Sequence, residues 1–147
     1  MSHAQPQTDS DAPPPPSAYP VDPLSQICGE VAAVFRRAWG RGPVKTTAHW
    51  AGPSALVVLL QNGHNDAEKT MRAAGHIQEL LGGRHLLQVL IEDDLKGCVT
   101  RILGRRVETI LSATRLDPDL SAEIFLLAPI DGTTADCPDK TLTSPPT

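Results

Sequence analysis

Ala55-Leu56-Val57-Val58-Leu59-Leu60 is apolar at every position, and its reading decides the fold. The run has strand length and no helical periodicity. A strand without alternation is covered on both faces, either by its own chain or by its own helices on one side and a partner copy on the other. Immediately upstream, Ala51-Gly52-Pro53-Ser54 is turn chemistry. Before the turn, Val44–Trp50 (VKTTAHW) places Val44, Thr46, Ala48 and Trp50 on one face. A connection this short between two extended runs predicts an antiparallel hairpin.

Further upstream, Leu24, Ile27, Cys28, Val31, Val34, Phe35, Ala38 and Trp39 recur at three- and four-residue steps, which predicts a helix. Asp22 suits its N-cap, Pro23 its first turn, and Gly40 its left-handed end. Downstream, Asn65 and Glu68 have capping-box spacing. A helix starting at Asp66 would turn Ala67, Met71 and Ala74 inward and end or kink at Gly75. Helical spacing resumes near Ile77 and runs to Ile102, with a bend expected at Gly82-Gly83, since two glycines cost a helix roughly 2 kcal/mol. Gly104 stops it. Val107–Arg115 and Ser121–Ala128 read as strands joined by the turn Leu116-Asp117-Pro118-Asp119. The order α-β-β-α-α-β-β predicts a two-layer α+β fold, a four-stranded antiparallel sheet with helices on one face.

The ends of the chain read differently. Residues 1–23 hold seven of the 14 prolines, and residues 129–147 hold four more. Neither stretch has apolar residues enough to offset chain entropy. The expected organisation is therefore a disordered tail over 1–22, one domain over 23–129 and a second disordered tail over 130–147. Of the net charge of −4, the tails carry −3 and −2, which leaves the core at +1. A near-neutral core without interleaved stacking aromatics argues against nucleic acid as a partner. Cys28, Cys98 and Cys137 are too scattered for a disulfide framework or a zinc site. No basic, apolar leader opens the sequence, and no run approaches the roughly 18 residues that span a bilayer. These features predict a cytoplasmic protein that does not insert into a membrane.

No constellation of catalytic residues stands out. Glu92-Asp93-Asp94 points three ways around a helix, and His49, His64, His76 and His85 share no metal spacing. Neither a catalytic role, a metal nor a cofactor is expected. Gly40-Arg41-Gly42-Pro43 and Gly104-Arg105-Arg106 both follow helices, whereas phosphate loops precede them. Their arginines are candidates for contact with an anion or a partner.

Longer phrases are more specific together than any of these signals alone. GRGPVKTTAHWAGPSALVVLL, NDAEKTMRAAGHIQELLGGRHLLQ, ILGRRVETILS and AEIFLLAP resemble a bacterial family once known only as a domain of unknown function. It is now named MpsC, for the C component of the sodium-translocating, membrane-potential-generating Mps system linked to inorganic-carbon uptake. The resemblance covers residues 24–129 and is closest to the actinobacterial branch. It rests on Gly40–Pro43, Ala51-Gly52-Pro53, Ala67-Glu68-Lys69, Gly75, Arg84 with Gln88, Gly104–Val107 and Glu123-Ile124-Phe125. It implies no catalytic residues and no cofactor.

The first expectation is a non-enzymatic accessory or regulatory protein with a partner in a membrane system. The alternative is a small-anion or metabolite sensor using Arg41, Arg84, Arg105 or Arg106, and a weaker one is an RNA-binding module. A homodimer is also expected. In a two-layer domain alternate residues of Ala55–Leu60 face away from the helices and, joined by neighbours such as Ile110 or Phe125, form a patch that soluble monomers seldom leave open.

Overall fold

The computed structural model describes residues 21–130. The tails and Cys137 lie outside the described residues, apart from the few tail positions at either edge. Helix α1 (Pro23–Trp39) opens with the Asp22 carboxylate accepting from the Ser25 backbone N–H at 3.2 Å and closes at Gly40, whose φ of +75° suits glycine. Strands β1 (Lys45–Trp50) and β2 (Ala55–Gln61) form the expected hairpin, with Trp50 opposite Leu56 and Lys45 opposite Gln61. Strands β3 (Val107–Arg115) and β4 (Leu120–Leu127) form a second one. The sheet order is β1-β2-β4-β3, antiparallel throughout, so the two apolar strands are central.

Helix α2 (Asp66–Ala73) carries the predicted capping box between Asn65 and Glu68. Its inward face differs from the expected one. Ala67 and Ala74 are exposed, Met71 is half-buried, and the buried residue is Glu68. Helix α3 (Ile77–Leu90) passes through Gly82 and Gly83 without interruption, and the break comes at Ile91, before α4 (Glu92–Leu103). A side chain at either glycine would meet nothing within 4 Å, so both sit on the outer side, where missing side chains leave no hole. At Ile91 the backbone leaves helical geometry (ψ 1°), yet its N–H still bonds Leu87 O and its carbonyl still accepts from Leu95, both at 3.0 Å. The joint is a one-residue kink, with the inward stripe continuing from Arg84 and Gln88 to Ile91, Leu95, Cys98 and Val99.

All helices lie on one face. The core joins Ile27, Val31, Val34, Phe35 and Trp39 of α1 to Leu56 and Val58 of β2, Leu95 and Val99 of α4, and Phe125 and Leu127 of β4. Although the run is apolar throughout, its burial alternates as a two-layer domain requires: Leu56, Val58 and Leu60 are buried, and Ala55, Val57 and Leu59 are half-buried. Phe125 is wholly buried and pairs with Ile110 on the helix side, which corrects their expected place in the outward patch. Strand register gives that patch Ile124, Leu126 and the 55% exposed Leu111 instead. No helix among the described residues is long and apolar enough to cross a membrane.

Candidate functional site

Helix α3 is turned inside out. Its inward residues at four-residue spacing are Leu80, Arg84 and Gln88, two of them polar, while Leu86, Val89 and Leu90 are 59%, 53% and 68% exposed. The polar underside meets polar residues that β3 and β4 point toward the helices, and the result is one continuous hydrogen-bonded seam.

At the α2 end, the Arg84 guanidinium donates from Nε to Glu68 Oε1 at 2.7 Å and from Nη2 to Oε2 at 3.0 Å. The fork matches the carboxylate plane, the strongest geometry for such a pair. Glu68 also accepts from the Asn65 N–H at 2.9 Å, closing the capping box, and Asn65 Nδ2 donates to Trp39 O. Burial alone would raise the Glu68 pKa, but Arg84 and the Asn65 N–H outweigh it and hold the carboxyl below its usual range. Beside this pair, buried His64 faces Asp119 at 3.0 Å. Burial, then the Arg84 charge, lowers the imidazole's pKa against the pull of Asp119.

From Arg84 the seam runs through Ser121 Oγ (3.4 Å) and Thr114 Oγ1 to Gln88. Gln88 Nε2 donates to Glu123 Oε1 at 2.9 Å, and Ser112 Oγ donates to Glu123 Oε2. Glu123 is completely buried and no cation pairs with it among the described residues. Burial pushes its pKa up to about 7, against the two neutral donors and with help from the Glu92 charge. At this end a cleft of about 160 Å³ opens between α3, the start of α4 and β3. Gln88, Ser112, Glu92 and His85 supply its polar lining, and Val89, Leu95, Ile110 and Leu111 its apolar walls.

Two of the four candidate arginines come together. Exposed Arg41 and buried Arg84 line one crevice with Trp39, Asp119 and Ser121, but its volume of about 10 Å³ has room for at most one water. The other two lie elsewhere. Arg105 donates to Pro53 O and Ala128 O, both at 2.8 Å, and sits over the Trp50 ring, tying the β1–β2 turn to the end of β4. Arg106 is exposed and pairs with Glu108. No three His, Cys, Asp or Glu side chains converge on a metal position among the described residues.

Sequence reasoning passed over Glu123 as a site. The signal was present: in Ser121–Leu127 the inward positions are Ser121, Glu123, Phe125 and Leu127, and a carboxylate at the middle of such a strand needs partners. A family model described as "Na+-translocating membrane potential-generating system (MpsC)" matches residues 24–129. No curated protein and no solved structure matches the chain.

Proposed function

Since this chain belongs to the MpsC family, which associates it with a sodium-translocating, membrane-potential-generating system, we propose that it is a cytosolic, non-enzymatic accessory protein that docks on a component of that system. The observation that carries this reading is the reversed polarity of α3. Three large aliphatic side chains, Leu86, Val89 and Leu90, stand on its outer face, where one copy of the domain gives them nothing to pack against. Burying side chains of this size yields about 1.5–3 kcal/mol each, and a few suffice for a specific contact once association costs are met. The half-buried outer face of the sheet supports the second part of the reading, a homodimer closed by a two-fold axis.

The anion-sensor alternative is weaker on this geometry. Arg84, Arg105 and Arg106 already hold protein oxygens, which leaves Arg41 as its main support.

Affinity capture of the full chain from native cells after cross-linking, with light scattering on the purified chain, tests the proposal. Wild type should retain a subunit of the membrane system and run at twice the chain mass. The double variant Leu86→Glu, Leu90→Glu should stay folded and lose the subunit. Equal recovery by both proteins refutes docking through α3, and a monomeric mass refutes the dimer.

A further inference from the structure

The hydrogen-bond polarity of the cleft floor defines what it can hold. Both amide protons of Gln88 are directed inward, to Glu123 at 2.9 Å and Thr114 at 3.3 Å. The Ser112 hydroxyl also spends its proton on Glu123. Gln88 and Ser112 therefore present acceptor lone pairs to the cleft and no donor while Glu123 is ionised. Glu92 at the mouth adds a carboxylate. Leu95, Ile110, Val89 and Leu111 form walls that suit carbon chains and give a metal ion nothing to coordinate. We propose that this cleft binds a small primary ammonium cation carrying a short aliphatic tail, and that Glu123 gives up its proton to solvent as the cation binds.

The coupling follows from the same hydrogen bonds. Once protonated, Glu123 must donate through its own O–H. Ser112 is the nearest acceptor, and accepting frees the serine proton to turn toward the cleft. The floor then offers a donor where the ammonium group needs an acceptor. Ionised Glu123 restores the acceptor pattern and places a negative charge one hydrogen bond behind the cation.

One cation competes at the mouth. From α4, Glu92 faces Glu123 and favours its protonated form, and Lys96 Nζ already holds Glu92 Oε1 at 2.6 Å, so an incoming ammonium must share that carboxylate. From α3, Arg84 is occupied by Glu68, and His85 stands on the rim. Ser112 and Thr114 of β3 and Val58 of β2 are uncharged.

Calorimetric titration of the full chain with n-butylammonium chloride tests the site. The probe stays charged across the range used. Binding should saturate at pH 8 and weaken about tenfold at pH 6, since a group that titrates near 7 must be ionised first. Runs in buffers of different ionisation enthalpy should show a proton released near pH 7. Glu123→Gln should remove the pH dependence, and Glu92→Gln should weaken binding about tenfold through the lost charge. Glu92 is only half-buried, so that variant remains informative if Glu123→Gln misfolds. A His85→Gln control should leave the proton release intact. Absence of saturable binding overturns the proposal, as does unchanged binding in the Glu92 variant. Equal response to sodium chloride or to tetramethylammonium, which has no N–H donor, also overturns it.

Discussion

The two ends of the seam under α3 each bury a glutamate, and they handle it in opposite ways. Glu68 is 7% exposed and meets a guanidinium in a two-point fork. Glu123 is wholly buried and meets an amide and a hydroxyl. The first carboxyl is held below its ordinary range and the second is pushed up to about 7. Burial raises both. The sign of the outcome is set by whether the donor carries charge. One end of the helix is a permanent fastening, while the other has a protonation state that changes near neutral pH.

Breaking the fastening should have the largest effect. Arg84→Met leaves Glu68 buried without its cation and should cost about 3–5 kcal/mol in chemical denaturation. Adding Glu68→Gln to that variant should recover part of the loss, because the stranded charge is gone. A loss below about 1 kcal/mol in Arg84→Met would show that water reaches Glu68 and that the two ends are alike.

The next effect is the pH profile, where the ends oppose each other. The native pKa of Glu123 exceeds its unfolded value, so its contribution is fully present below the unfolded pKa. It declines as pH rises from about 4.5 to about 7, by about 3 kcal/mol at most. The lowered pKa of Glu68 gives the reverse, stability present above the unfolded value and lost on acidification through the folded one. Glu123→Gln should flatten the first limb, raise stability at pH 8 and leave the acid limb intact. An unchanged slope between pH 5 and pH 7 would place a different group in charge.

Smaller effects sharpen the same contrast. Asn65→Ala removes the cap acceptor for the Glu68 N–H and should lower the melting free energy by about 1 kcal/mol. Arg41→Ala touches the exposed edge of the seam and should stay within about 0.5 kcal/mol of wild type. A larger loss would mean that Arg41 supports the Arg84 crevice.

Most of the fold could be read from the sequence because its signals are local. Asp22 and Gly40 bound α1, Asn65 and Glu68 open α2, and the apolar run at Ala55 fixes a central strand. The kink was misplaced because glycine propensity at Gly82-Gly83 was weighed without knowing that both face open space. The interruption at Ile91 depends on how α3 and α4 follow the sheet, which no local pattern encodes. The orientation of α3 was hidden for a similar reason. A helix with leucines on several sides shows no single face, and only the polar residues of β3 and β4 reveal that Arg84 and Gln88 belong beneath it. Arg41, Arg84, Arg105 and Arg106 looked alike as cations after or within helices, and their separate fates are set by carbonyls and carboxylates distant in sequence.

The inverted helix also carries a kinetic consequence. Apolar contacts anchor α1 and α4 to the sheet, whereas α3 contributes only Leu80 and Leu87 to such packing and is otherwise held by polar side chains. Elements held in this way open ahead of global unfolding. In native-state hydrogen exchange, the amides of Ile77–Leu90 should therefore exchange through a local opening, before those of Leu24–Trp39, and should do so faster once Glu123 has lost its proton.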